Sequence, residues 1–339
     1  MRVLVRGLGN IGTTLTNLLL RYQQALCIDE VMAHKTVPRS FLDQDLALLR
    51  ARGARVLVGP DESERALAEA QYVFDCRKDG APRAERSRYQ QLEHVMGVCA
   101  QGTEVGFGAP FVTGANDDTI PGSRFVQVAS CNTHALVSLL RGFAGDALDG
   151  LGDADFVVAR RAEDIGNHER LVSGTVVARH RHEHSGTHHA HGAQRVFATI
   201  GVRPSLTSSD ITTPSQLLHT VRFSLRFATP YSAARAADAL GSAQFLACTQ
   251  KFDSNRVFEL GRRYGFQGRI YSHAIVVANN LLVAPTPDGG ATVRGWAFVP
   301  QEGNTLLTTL HAYALQTEHP DPGALRARLC QELLQPDRW

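Results

Sequence analysis

Through the first third of the chain, short runs of consecutive apolar residues alternate with longer amphipathic stretches. Residues 3–5, 31–33, 56–58, 73–75 and 105–107 read as strands, whereas 41–52 and 85–98 carry apolar positions at helical spacing. Strands alternating with helices predict a parallel, doubly wound sheet whose ligand lies beyond the C-terminal strand ends. From residue 153 the pattern changes. Strands at 156–158, 196–200, 221–227, 270–277 and 292–298 come with fewer helices between them, which predicts a mixed or antiparallel second sheet. Helical patterns return at 305–315 and 322–334. The expected fold class is therefore α/β: an N-terminal Rossmann-type doubly wound sheet plus an α+β catalytic domain. The expected division is 1–131, completed by helices from 303–339, against 132–302.

Two stretches place chemistry on that pattern. The first strand runs into Gly7-Leu8-Gly9-Asn10-Ile11-Gly12, a G-x-G-x-x-G turn that opens a helical run. In that context Gly7 permits the tight turn and Gly9 lets the backbone approach a pyrophosphate. Gly12 lets helix pack on strand, and Asn10 and Ile11 start the helix that faces the anion. The second stretch is Ser130-Cys131-Asn132-Thr133-His134, with a strand pattern before it and a helical one after it. At a helix N-terminus, unpaired N–H groups and the positive end of the helix dipole favour the thiolate, the nucleophilic form of cysteine. The same N–H groups, with Asn132, suit an oxyanion formed when sulfur attacks a carbonyl. The plain alternative is a small buried cysteine at a strand end. A nicotinamide-binding turn combined with a nucleophilic cysteine implies chemistry at the aldehyde level, in which the thiol adds, hydride leaves and a thioester remains.

Those two segments, with three others in the same order, resemble the archaeal-type (type II) glyceraldehyde-3-phosphate dehydrogenase family. Gly7 to Gly12 match its opening turn, and Ser130 to Thr133 match its S-C-N-T-T-G segment, whose cysteine is the nucleophile. Ala159-Arg160-Arg161-Ala162 resembles its I-R-R-A strand end, and Thr187-His188-His189-Ala190 its substrate-contacting S-H-H-G. Pro300-Gln301-Glu302 looks like its H-Q-E turn, whose glutamine touches the nicotinamide. The resemblance implies Cys131 as nucleophile, with Ser130, Thr133, His134, His188 and His189 around the substrate. It also implies a base on the strand after the His-His loop, where His219 is the histidine present. Arg161 would meet an anionic group of cofactor or substrate, since guanidinium forks match phosphate. A homotetramer and a small phosphorylated aldehyde, with inorganic phosphate or water as acceptor of the acyl group, follow from the same likeness.

Departures fall near the substrate. His134-Ala135 replaces the family's Thr-Gly, His191-Gly192-Ala193 replaces residues after its His-His-Gly, and its Q-G-G appears only as Phe107-Gly108-Ala109-Pro110, where Gly108 would lie on the cofactor side. A specialised enzyme acting on another anionic aldehyde, such as a phosphonate, therefore stays open, as does a non-enzymatic nucleotide-binding regulator. His134, close to Cys131 on the helix, competes with His219 as the base. At the end of the second strand His34-Lys35-Thr36 offers positive charge and no carboxylate, which favours NADP with NAD also accepted. Six of the fourteen histidines lie between 180 and 191, but without a convergent carboxylate or thiolate framework no metal is expected.

Composition narrows the partners. Thirty-five basic against thirty-three acidic residues give no general attraction to nucleic acid or to a membrane. Six scattered cysteines without C-x-x-C pairing suit reduced thiols in the cytoplasm. Neither a secretory leader nor a membrane-spanning apolar run is read in the sequence.

Overall fold

The computed structural model describes residues 1–36, 43–162, 172–215, 217–335 and 339. In chain order the elements of the first half are β1 (Arg2–Arg6), α1 (Asn10–Arg21), β2 (Glu30–Lys35), α2 (Asp43–Ala51), β3 (Arg55–Val58), α3 (Asp61–Glu69), β4 (Tyr72–Asp75), α4 (Ala81–Ala84), α5 (Arg86–Gln91), β5 (Gly97–Gln101), β6 (Ala109–Phe111), β7 (Phe125–Val128) and α6 (Cys131–Ala144). There follow β8 (Leu151–Arg161), β9 (Val176–Val177), α7 (His188–Ala198), β10 (Leu206–Thr213), β11 (His219–Phe227), α8 (Ala233–Ser242), β12 (Leu246–Thr249), α9 (Ser254–Tyr264), β13 (Ala274–Val277), β14 (Leu282–Pro285), β15 (Ala291–Val299), α10 (Leu306–Gln316) and α11 (Pro322–Leu333). The chain divides into two compact units, one of 1–113, 117–129 and 306–328, the other of 114–116, 130–305 and 329–339.

In the first unit, seven strands among the described residues form an all-parallel sheet in the order β3-β2-β1-β4-β5-β7-β6. Val3, Leu4 and Val5 are fully buried, as expected of a central parallel strand covered on both faces. Successive connections leave β1 in opposite directions, towards β2 and β3 on one side and β4 on the other, so the β1/β4 pair marks a topological switch point. Helix α10 covers the sheet, with Gln316 accepting from the Tyr72 hydroxyl and Thr309 bonded to Gln101. This is a doubly wound α/β domain of Rossmann type.

In the second unit, eight strands among the described residues form a mixed sheet, β12-β13-β15-β11-β8-β10-β9 with β14 beside β15. Strand β11 runs antiparallel to both β8 and β15, and β10 runs parallel to β8. The C-terminal ends of β8, β10 and β15 and the start of β11 therefore share one end of the sheet. Phe156, Val158, Val221 and Phe223 alternate inwards along these strands and are fully buried.

Several expected elements change. Residues 105–107 are not a strand; strands run instead over β5 and β6, and the expected helix over 85–98 stops at Gln91. Glycine at 97 lets β5 lie against the Tyr72 ring, where a Cβ would sit 2.7 Å from it. Residues 196–200 carry no strand but the end of α7 and its turn, so the apolar Val196 and Phe197 served a helix face rather than a pleat. Of 270–277 only Ala274–Val277 is strand. The two leading residues of the helix expected over 41–52 lie outside the described residues. Residues 303–305 and 329–339 cluster with the second unit rather than the first, Trp339 being buried with Leu218, Ile270 and Phe298.

Candidate active site

In the first unit the glycine turn has the geometry its sequence implies. Gly7 has φ of 91°, and a Cβ there would lie 2.9 Å from the Arg77 nitrogen and Cys76 carbonyl. At Gly12 a Cβ would come within 2.0 Å of the Gly7 oxygen, so no side chain fits between helix and turn. Gly9 is different: nothing lies within 4 Å of its would-be Cβ, and it caps α1 without a side-chain acceptor. Open space over a helix N-terminus is the arrangement a pyrophosphate needs. Asn10 and Ile11 form the first turn of α1. Lys35, at the end of β2, turns back so that its ammonium donates to the Leu8 carbonyl (3.2 Å), which places positive charge beside the turn, while Thr36 is exposed next to it. These residues fit a dinucleotide. Gly108 has a packing reason of its own, because a Cβ would lie 2.3 Å from the Phe125 oxygen.

A polar network stands beside the turn. The Arg77 guanidinium makes a two-pronged contact with the fully buried Asp75 carboxylate (2.9 and 2.6 Å), and Arg6 donates to Glu85 (2.5 Å) and to the Tyr89 hydroxyl (2.6 Å). Two arginines and two carboxylates balance there. The network holds the ends of β1 and β4 together at the switch point.

The second unit presents Cys131 at the start of α6. Ser130 is the N-cap, its hydroxyl accepting from the Thr133 N–H (3.3 Å), and Gly145 with φ of 75° closes the other end. The expectation that the helix start lowers the thiol is not met. Burial pushes Cys131 up to about 12, against the opposing pull of Arg161, the Asn132 N–H and Arg160. Desolvation outweighs the helix dipole here because a dipole end is worth roughly 1 kcal/mol, less than one pH unit of titration.

His134 is wholly buried, and its Nδ1 faces the Ser130 carbonyl at 3.0 Å, so it clamps the cap turn behind Cys131. Its ring meets that of His273 edge-on at 4.8 Å. Asn304 donates from one amide nitrogen both to the Cys131 carbonyl (2.9 Å) and to the His273 carbonyl (3.1 Å). Asn132 is also buried, and its side-chain oxygen has no partner among the described residues.

Around this helix start, the shared sheet end supplies charge. Arg161 at the end of β8 is buried, its guanidinium donating to Glu302 (2.6 Å) and to the Leu217 carbonyl (3.1 Å). Glu302 thus compensates the charge the sequence assigned to an anion. Arg160 is the more exposed of the two, 41% at the side chain, and lies 3.3 Å from Asp210. His219 is buried at the start of β11, where its Nδ1 accepts the Arg161 backbone N–H (2.9 Å) that the strand ladder no longer serves. Burial holds its pKa well below the usual histidine value, helped by Arg161, His189 and Arg160; a hydrogen bond with the Gln301 side chain acts the other way.

His188 and His189 open α7. The Ser208 hydroxyl from β10 accepts the Ala190 N–H (3.0 Å) and bonds Thr187 (2.6 Å), capping that turn from across the sheet. Burial and neighbouring His189 bring His188 down to about 3, and burial also lowers His189. Both are neutral at pH 7, so they offer hydrogen bonds rather than charge to a ligand. Among the described residues no group of three or more His, Cys, Asp or Glu is arranged to hold a metal, and no helix is long and apolar enough to cross a membrane.

Cys131 thus feels Arg160, Arg161 and Glu302, while His219 feels the same two arginines and His189 and bonds Gln301. Sequence reasoning missed Asp210, Asn304 and His273 and gave no role to Glu302. Asp210 did leave a signal: it shares a strand face with Ser208 in a run where every second residue turns inward. No protein-family model matches the chain, and no curated protein matches its sequence.

Proposed function

We propose that the protein is an NAD(P)-dependent aldehyde dehydrogenase, similar to glyceraldehyde-3-phosphate dehydrogenase, acting on a small anionic aldehyde. The observation that carries this reading is a cysteine at the first turn of a capped helix, facing two arginines, in a chain that also has an open G-x-G-x-x-G turn. Gly7, Gly9, Asn10, Ile11 and Gly12 would hold the pyrophosphate, and Lys35 with Thr36 would favour the extra phosphate of NADP. Bound there, the nicotinamide supplies a hydride acceptor.

Cys131 attacks the carbonyl carbon. The Asn132 N–H and the first turn of α6 hold the oxygen that becomes negative. Arg160, partly open to solvent, attracts the anionic end of the substrate, with His188 and His189 as neutral hydrogen-bonding partners. Ser130 and Thr133 keep the cap turn in place, and His134 does so from behind. Release of the thioester to inorganic phosphate returns an acyl phosphate, and the reverse reaction would reduce one. Assembly as a homotetramer and residence in the cytoplasm belong to the same proposal.

A second reading, an enzyme for another anionic aldehyde such as a phosphonate, is favoured by His134, whose buried ring fills the place of a smaller threonine in the resembling family. A panel of phosphorylated and phosphonate aldehydes, assayed with NADP and NAD and with or without phosphate, tests both. Reduction of the nicotinamide by a phosphorylated aldehyde supports the first reading, reduction only by a phosphonate the second, and none across the panel removes both.

A further inference from the structure

Between the end of β15 and the start of α10 the chain turns through Pro300-Gln301-Glu302-Gly303-Asn304. The Pro300 carbonyl accepts the N–H groups of both Gly303 (3.1 Å) and Asn304 (3.0 Å), which closes the turn. Gly303 seats it, because a Cβ there would stand 1.9 Å from the Ile270 carbonyl oxygen. Three polar side chains of the turn each reach a different part of the cysteine site. Gln301 bonds His219, Glu302 bonds Arg161, and Asn304 reaches the Cys131 backbone.

Asn304 is wholly buried, where an amide is costly unless its groups are paired. Its two partners are the Cys131 carbonyl at 2.9 Å and the His273 carbonyl at 3.1 Å. A carbonyl only accepts, so the amide nitrogen is the end that faces them. One side chain thereby ties the first residue of α6 to the residue ahead of β13. Its own oxygen has no partner among the described residues, so the two donated bonds are what the amide contributes.

The Cys131 carbonyl is one half of a peptide group whose other half is the Asn132 N–H, and that N–H bonds the Cys131 sulfur. A trans peptide is planar, and its C=O and N–H point in opposite directions. Holding the oxygen therefore fixes where the N–H points. Accepting a hydrogen bond at the oxygen also polarises the N–H and makes it the stronger donor. We propose that Asn304 is a positioning residue for Cys131: by holding the Cys131 carbonyl it aims the Asn132 N–H at the sulfur and at the oxygen that turns negative beside it. Its consequence for turnover rests on the dehydrogenase reading above, whereas its effects on the peptide and the thiol do not.

Cys131-Asn132 is the one Cys-Asn pair in the sequence, so protein labelled with 13C′-cysteine and 15N-asparagine gives a single 1H–15N–13C′ correlation for this peptide. Asn304→Leu and Asn304→Ala both remove the donors, and their packing faults are opposite, one bulkier and one a cavity. In each, with folding checked by circular dichroism, the Cys131 carbonyl carbon and the Asn132 amide proton should both move upfield. Alkylation of Cys131 by iodoacetamide should slow about tenfold at a given pH, the worth of a hydrogen bond to a charged group. Ser138→Ala is the comparison, because it cuts the 2.7 Å bond by which the same helix holds the His273 ring. It should lower stability to urea and leave both the correlation and the alkylation rate in place. With an aldehyde that is turned over, the Asn304 variants should lose kcat with little change in KM, since the N–H acts most on the oxygen of the transition state.

An unmoved correlation or an unchanged alkylation rate in a folded Asn304 variant overturns the proposal. So does Ser138→Ala if it moves the correlation and slows the thiol as much, because the effect is then a general loosening of α6. If no aldehyde reacts, the dehydrogenase reading falls, and the correlation and the alkylation rate still decide the role of Asn304.

Discussion

Alkylation of Cys131 gives the sharpest reading of its surroundings. A thiol at about 12 is only ~3 × 10⁻⁵ thiolate at pH 7.5, whereas an ordinary thiol near 8.5 is ~0.1, a deficit of roughly three thousandfold. Iodoacetamide should therefore modify Cys131 slowly in the protein without ligands, with a rate that rises about tenfold per pH unit and shows no plateau up to pH 10. Glu302→Gln changes one cause of that value, because Glu302 raises the thiol while Arg161 lowers it. Glu302 is the smallest of the named causes of that value, so the variant should react measurably faster at a given pH. Removing one partner of a buried pair costs about 3–5 kcal/mol, so circular dichroism must accompany the rates. Mass mapping of the adduct separates Cys131 from the other cysteines. A wild-type rate that levels off below pH 9, or a folded Glu302→Gln protein that reacts no faster, would refute the view that desolvation and the Arg161–Glu302 pair govern this thiol.

Other consequences are independent of the reaction. Lys35→Glu should weaken NADPH at least tenfold more than NADH in a binding titration, since only NADPH brings a phosphate to the charge beside Leu8; equal losses would show that β2 does not read the 2′ position. Gly12→Ala should abolish dinucleotide binding or destabilise the first unit, because its Cβ would meet the Gly7 oxygen at 2.0 Å; a stable variant with unchanged binding would contradict that packing. Histidines held below their unfolded value keep the folded state stable above pH 6.5 and cost stability as pH falls, since the unfolded chain then binds more protons. His188 and His311, the latter buried in α10 and likewise lowered by burial, are both near 3 and should each remove about 2 kcal/mol between pH 7 and pH 5, seen as a falling midpoint in urea that His311→Gln makes shallower. A midpoint flat across that range would contradict it.

Much of the fold was legible because its signals are local. Val3, Leu4 and Val5 run unbroken into glycines, and Ser130 caps a helix that Gly145 ends, so strand, turn and helix each carry their own mark. Val196 and Phe197 misled because two adjacent apolar residues suit a strand and the inner face of a short helix alike. The site was legible in its parts and illegible in its electrostatics. Cys131, His189 and His219 could be picked by type, but which nitrogen of His219 carries a proton depends on the Arg161 N–H, a group brought by another strand. The Cys131 thiol was read from the helix dipole alone. Its desolvation in the folded chain is the larger effect.

The central claim is that Cys131 forms a thioester with an aldehyde at the expense of a nicotinamide. Rapid mixing of the protein with NADP and a small phosphorylated aldehyde, in the absence of phosphate, tests it directly. The expected result is a burst of absorbance from the reduced cofactor, equal to one equivalent per active site. Intact mass should show the acyl group added, and peptide mapping should place it on Cys131. Added inorganic phosphate should discharge it, and Cys131→Ser should show neither burst nor adduct while still binding the cofactor. Reduced cofactor formed at full rate by Cys131→Ser, or an adduct on a different cysteine, would contradict it.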